Sequence, residues 1–136
     1  MRYQLFNNDD LVNHLKNRLY LSPNVEKVLR KNDRGNYCGG NCRNDIYDDS
    51  PYLLDRRIMQ TMSAPHIHAT AIEKMNIYLQ SFLNKVDNNY SKLKFNVLDI
   101  GCGSGYVTAC MADLIHIGQN DSKVVGIDIY SSLVKL

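Results

Sequence analysis

No stretch of this sequence approaches the roughly 18 consecutive apolar residues of a membrane-spanning helix, so no membrane association is expected. Lysine and arginine nowhere form a run, and a net charge of +2 over 136 residues is too small to call for nucleic acid or an anionic lipid surface. The first ten residues lack the apolar core of a secretory signal. The four cysteines are accordingly expected as reduced thiols in a cytoplasmic protein. Cys38 and Cys42 have no second pair of matching spacing, and His66 and His68 would point to nearly opposite faces of a helix. The spacing therefore gives no metal site, and there are no internal repeats. What remains is a composition of 44% hydrophobic and 22% charged residues, that of an ordinary globular domain.

The most telling stretch is Val97-Leu98-Asp99-Ile100-Gly101-Cys102-Gly103-Ser104-Gly105. A short apolar run breaks into glycines at alternate positions, which predicts a strand, a tight turn and then a helix from Tyr106 onward. Glycine permits positive φ and close approach of a ligand, while the helix start offers free N–H groups to an anion. Asp99 is expected to order this loop through backbone N–H groups. Val107, Cys110, Met111, Leu114 and Ile115 draw the stripe of the helix, and residues 118–122 supply a turn. A second apolar run, Val124-Val125-Gly126-Ile127, then ends at Asp128. An acid at that strand tip is placed to accept hydrogen bonds from ribose hydroxyls. The spacing is Gly-x-Gly-x-Gly, not the dinucleotide Gly-x-Gly-x-x-Gly, which turns the expectation from NAD toward S-adenosyl-L-methionine.

Upstream, Leu11, Val12, Leu15 and Leu19 form a helical stripe behind Asp9-Asp10, and Ser22-Pro23 opens a second helix carrying Val25, Val28 and Leu29. Residues 31–61 show no sustained period and read as a long connection, with strand-like patches at Tyr52-Leu53-Leu54 and Ile58-Met59. Ser63-Ala64-Pro65 starts the longest helix, which runs to about Val86 with Ile67 or His68, Ala71, Ile72, Met75, Tyr78, Leu79, Phe82 and Leu83 on its apolar face. Asn88-Asn89-Tyr90-Ser91 ends it. Ser131-Ser132 resembles one more helix start.

The pattern predicts a doubly wound α/β domain with a mostly parallel sheet, cut off after its second strand. Residues 1–62 are its N-terminal helices and long loop, and residues 63–136 a helix plus the first βαβ unit. Two parallel strands make a poor sheet. Ile127, Ile129, Leu133 and Val134 are expected at an exposed apolar edge, and the chain is expected either to self-associate through residues 123–136 or to be part of a longer product.

The run Gln60-Thr61-Met62-Ser63-Ala64-Pro65-His66-Ile67-His68-Ala69 closely resembles the signature that precedes the cofactor domain in protein-L-isoaspartate (D-aspartate) O-methyltransferases. The likeness continues from Leu98 to Cys110, with Cys102 where the family often has serine, and at Val125-Gly126-Ile127-Asp128. The N-terminal helices and Asp33-Arg34-Gly35-Asn36-Tyr37 are similar as well. The likeness covers essentially the whole chain but only the first part of the family's domain. It implies a Rossmann-like methyltransferase fold that transfers a methyl group from S-adenosyl-L-methionine to the free carboxylate of L-isoaspartyl and D-aspartyl residues in damaged proteins, leaving S-adenosyl-L-homocysteine. It gives Ser63 the role of a neutral donor to the substrate carboxylate. Thr61, Met62, His68, Asp99, Gly101, Gly103, Ser104 and Gly105 it places around the cofactor, with Asp128 and Ile129 on the nucleoside side.

The implied chemistry suits such a site. A carboxylate with a reference pKa of about 3.9 is already ionised at neutral pH and needs no general base. Charges of opposite sign cancel as the methyl group moves, so a site that grips a bare carboxylate too tightly slows the step. From the residues alone Ser63 reads first as a helix N-cap, worth roughly 1 kcal/mol, and only the family resemblance reverses that preference. His66 is expected to face solvent, and Tyr37, Cys102 and Cys110 to be packing residues. Two other functions stay open: a catalytically inactive cofactor-binding fragment of the same family, and a methyltransferase acting on small molecules.

Overall fold

The computed structural model describes residues 4–40, 42–85, 93–115 and 121–135. Helix α1 (Asn8–Lys16) starts at Asn7, whose side chain accepts from the Asp10 N–H at 2.8 Å. Acids in its first turn and bases in its last complement the helix dipole. Its Leu11, Val12 and Leu15 are buried, as are Val25, Val28 and Leu29 of α2 (Pro23–Lys31). Ser22 precedes α2, but its side chain does not cap it. The Ser22 Oγ accepts from Asn76 Nδ2 at 2.9 Å and its N–H donates to Glu73 Oε2 at 2.8 Å, which ties α2 to α3 (Pro65–Leu83).

Those two bonds explain a difference from the expected stripe of α3. The buried face runs through Pro65, Ala69, Ile72, Glu73, Asn76 and Leu79. Ile67, Ala71, Tyr78 and Phe82, expected inside, are exposed. A polar anchor to Ser22 turns the helix so that Glu73 and Asn76 point inward. The helix ends at Leu83 with Asn84 as its C-cap, short of the expected Val86, and the Asn88–Ser91 stop lies outside the described residues.

The connection between α2 and α3 is more ordered than a bare loop. Two 3-10 turns, Arg34–Tyr37 and Asn44–Tyr47, lead to a hairpin of β1 (Tyr52–Asp55) and β2 (Gln60–Met62). Tyr52-Leu53-Leu54 is a strand as expected, whereas Ile58 and Met59 belong to the turn between the strands. Met59 has φ +52°, a left-handed conformation used in turns and incompatible with a strand. Gly39, at φ +80°, helps fold the chain back so that the Cα atoms of Cys38 and Cys42 lie 5.5 Å apart and their sulfurs are bonded. The expectation of four reduced thiols is therefore wrong for this pair; Cys102 and Cys110 are free.

The strand β3 (Asn96–Ile100), α4 (Tyr106–Ile115) and β4 (Lys123–Ile127) form a βαβ unit with parallel, unbroken register from Asn96↔Lys123 to Ile100↔Ile127. Val97 and Val124 turn toward the core, with α4 packing Tyr106, Cys110, Leu114 and Ile115 into it. Period-two alternation sends Leu98, Ile100, Val125 and Ile127 to the other face, where they are between 47% and 75% exposed. Ile129 and Val134 are exposed as expected, but Leu133 is 2% exposed and belongs inside. Residues 131–135 form a turn and not a helix, held by the Leu133 N–H on Tyr130 O. Of the turn expected at 118–122, residues 118–120 lie outside the described part.

Candidate functional site

Where β3 ends, Gly101, Gly103 and Gly105 take φ of +80°, +56° and +87°. This is the conformation that the alternate glycines anticipate, and side chains with a Cβ rarely adopt it. The loop is fastened to β4: the N–H groups of Gly101 and Cys102 both donate to Ile127 O, at 2.8 and 3.1 Å. A Cβ on Gly126 would stand 2.8 Å from both Cys102 Cβ and Thr108 Oγ1, so β4 passes the loop only because residue 126 has no side chain. Sequence reasoning read Gly126 merely as part of an apolar run.

The two acids of the motif exchange one expected role. Asp99 was expected to order the loop through backbone N–H groups. Its Oδ2 instead accepts from Thr108 Oγ1 at 2.7 Å, because β3 directs it at the first turn of α4. Asp128 is the residue that reaches the loop, with Oδ2 accepting from the Gly103 N–H and Oδ1 from the Tyr130 N–H, both at 2.9 Å. These backbone donors, Tyr130 first and Gly103 second, hold its carboxyl below the usual carboxylate range.

The loop forms one wall of a cleft of about 210 Å³. The opposite wall is the end of the hairpin, Thr61, Met62 and Ser63, with Leu54 from β1 and His68 from the first turns of α3. Asp99, Gly101, Gly103 and Ser104 complete it above Tyr106. Residues some forty positions apart in the chain thus meet here. Gly105, Asp128 and Ile129 do not line the cleft. Asp128 borders it through Gly103, and Ile129 is 89% exposed beyond the strand tip.

Two serines stand out. The α3 N-cap position is Ala64 and no side chain caps that helix, so the capping role open to Ser63 is not realised. Ser63 is exposed and lines the cleft. Among the described residues the buried Ser104 Oγ has no hydrogen-bond partner. Such an atom is costly unless something else satisfies it. With the cradle of glycine backbone beside it, this wall suits a polar ligand that brings hydrogen-bonding groups of its own.

Arg34, which sequence reasoning passed over within the Asp33–Tyr37 segment, lies fully buried behind the cleft. Its Nε donates to Ile46 O at 3.0 Å, one terminal nitrogen to Ser63 O at 2.8 Å, and the other contacts His68 Nδ1 at 3.1 Å. Burial lowers its pKa to about 10. His68 is lowered to about 4, by burial first and by the Arg34 charge second. Burial also raises the Tyr106 hydroxyl and pushes the Cys110 thiol up to about 12, so neither ionises at neutral pH. Tyr106 packs edge-on against Tyr37, with ring centroids 5.4 Å apart, which makes Tyr37 a packing residue. His66 turns away from the cleft and places Nδ1 2.8 Å from Asp49. Among the described residues no three His, Cys, Asp or Glu side chains are grouped to hold a metal ion, and no helix is long and apolar enough to cross a membrane.

Residues 6–136 match the family described as protein-L-isoaspartate(D-aspartate) O-methyltransferase. Among curated proteins, the Protein-L-isoaspartate O-methyltransferase of Caenorhabditis elegans is 34% identical over 130 residues, which are 95% of this chain and 48% of that protein. Protein-L-isoaspartate O-methyltransferase 1 of Arabidopsis thaliana is 30% identical over 93% of this chain and 47% of its own length. The chain thus spans about half the length of these relatives. Among solved structures, a Plasmodium falciparum protein assigned to the same enzymes, in complex with S-adenosyl-L-homocysteine, superimposes with a TM-score of 0.72 at 28% identity. The superposition covers 95% of this chain and 52% of that one.

Proposed function

The chain belongs to the protein-L-isoaspartate(D-aspartate) O-methyltransferase family, and from this membership we propose that its cleft serves S-adenosyl-L-methionine-dependent methylation of isoaspartyl carboxylates in damaged proteins. The observation that carries the proposal is the meeting of Ser63, at the hairpin exit, with the glycine loop in one cleft beside the unpaired Ser104 hydroxyl. When bound, the cofactor supplies a methyl group on a sulfonium.

The chain's own residues bind and orient. Gly101 and Gly103 let the cofactor approach the backbone, Gly105 turns the loop into α4, and Ser104 Oγ finds its partner there. Each Asp128 oxygen spends one lone pair on a backbone N–H and keeps another for a ribose hydroxyl. Ile129 offers apolar surface to the base, and Thr61, Met62 and His68 close the side opposite the loop. Asp99 acts through Thr108, as a positioning residue for the start of α4. The Ser63 hydroxyl donates to the substrate carboxylate without neutralising it, which leaves that oxygen nucleophilic. The work is alignment at roughly 3 Å and exclusion of water, with no proton to remove.

The partners in this reading are isoaspartyl-containing peptides and proteins, the product cofactor is S-adenosyl-L-homocysteine, and the setting is the cytoplasm. The bare face of Leu98, Ile100, Val125 and Ile127 adds a second proposal, that the isolated 136-residue chain self-associates through it. The function is tested by transfer of labelled methyl from S-adenosyl-L-methionine to an isoaspartyl peptide and to its normal aspartyl twin. Label in the first alone is the expected result; label in both, or in neither, contradicts it.

A further inference from the structure

Arg34 is fully buried, yet among the described residues no carboxylate accepts from its guanidinium. Burying a cation without an acid is costly, so what its donors hold in place must offset that cost. A guanidinium presents five N–H donors in a rigid fork and has no acceptor. Here the fork reaches the Ile46 carbonyl, the Ser63 carbonyl and His68 Nδ1. The last two lie on opposite sides of Ala64-Pro65, at the hairpin exit and in the opening turns of α3. One side chain therefore sets the distance between two residues of the cleft.

The contact with His68 also has a chemical consequence. Because Arg34 can only donate, Nδ1 of His68 must carry the lone pair, and the single ring proton resides on Nε2. Among the described residues Nε2 has no protein partner, and the ring lines the cleft. We propose that Arg34 is a positioning residue of the cleft, fixing His68 as the neutral Nε2–H tautomer and holding the Ser63 backbone beside it. The proposal rests on the methyltransferase reading for its functional meaning. Within that reading His68 is a hydrogen-bond donor to a ligand in the cleft, and neither a general base nor a second cation. Burial and the Arg34 charge both disfavour the imidazolium, in keeping with this role.

Long-range 1H–15N correlation spectra of histidine-labelled protein at pH 7 read the tautomer directly. The wild type is expected to show His68 with a protonated Nε2 and a bare Nδ1. Arg34→Met removes all donors and is expected to give a mixture of tautomers. Arg34→Lys keeps the charge but not the fork, and is expected to lower kcat/KM for methyl transfer at least tenfold. Should Arg34→Met not fold, the wild-type spectrum and Arg34→Lys decide the matter. A wild-type His68 protonated on Nδ1, or an Arg34→Lys variant with undiminished transfer, overturns the proposal. A wild type with the expected tautomer but no cofactor binding and no transfer overturns the methyltransferase reading and leaves the tautomer assignment standing.

Discussion

The carboxylate of Asp128, at the tip of β4, holds the backbone N–H of Gly103 at 2.9 Å. One acid thus links the second strand of the βαβ unit to the loop that follows the first. In the proposed complex the same carboxylate also meets the ribose. Asp128→Asn keeps the shape but exchanges one acceptor oxygen for a donor, which repels the N–H it faces. Charge-assisted bonds of about 1.5–3 kcal/mol are at stake, so affinity for S-adenosyl-L-homocysteine is expected to fall about tenfold or more. Isothermal calorimetry reads the change, and an unaltered dissociation constant would remove Asp128 from the binding site.

Gly103 itself has φ +56°, and a Cβ there would lie 3.9 Å from Leu54 Cδ1. The space is sufficient but the backbone conformation is not. Gly103→Val adds strain of about 1–3 kcal/mol and places a branched side chain across the cleft mouth. The expected outcome is loss of cofactor binding in calorimetry with a modest fall in melting temperature. Retained affinity would mean that the ligand does not pass over this residue.

Gly126 gives the opposite separation of effects. Its Cβ would collide with Cys102 and Thr108 at 2.8 Å, and both are held by the loop and helix around them. Gly126→Ala is expected to cost about 1–3 kcal/mol of stability, as overpacking does, measured by urea denaturation. A neutral effect would show that the loop yields more easily than its hydrogen bonds suggest.

Because no side chain caps α3, Ser63→Ala is expected to change unfolding free energy by less than about 0.5 kcal/mol, as for other exposed positions. Methyl transfer should fall far more, with kcat the parameter affected. A loss of stability that matches the loss of activity would return Ser63 to a structural role.

His68 makes stability depend on pH in a definite direction. Its folded pKa of about 4 lies below the ordinary 6.5, so between these values the unfolded chain binds a proton that the folded chain does not. Stability is therefore full above pH 6.5 and lost as pH falls through the window, by about 3 kcal/mol at its lower end. His68→Gln should remove this slope in denaturation series between pH 7 and pH 4.5. An identical slope in wild type and variant would show that His68 ionises freely in the folded protein.

Much of the site is legible in the sequence because local rules dominate it. Alternate glycines can satisfy only a loop of positive φ, and the stripe from Val107 to Ile115 can form only one helix face. The acids were harder. Asp99 lies within the last residues of β3 and Asp128 just beyond β4, and which of them reaches Gly103 depends on the parallel register, which no local pattern encodes. Arg34 was invisible for a related reason: its partners come from residues 46, 63 and 68, joined only by the folded hairpin. The inward turn of Glu73 and Asn76 likewise follows from Ser22, far upstream. The Cys38–Cys42 bond is not legible in the sequence because it depends on the turn at Gly39 that brings the two cysteines together.

The most direct test is a crystal structure of the protein with S-adenosyl-L-homocysteine. The ligand is expected between the glycine loop and the Thr61–Ser63 segment, with Ser104 Oγ and an Asp128 oxygen within hydrogen-bond distance of it. A ligand bound elsewhere, or one that leaves Ser104 Oγ unpaired in the occupied cleft, would contradict the account.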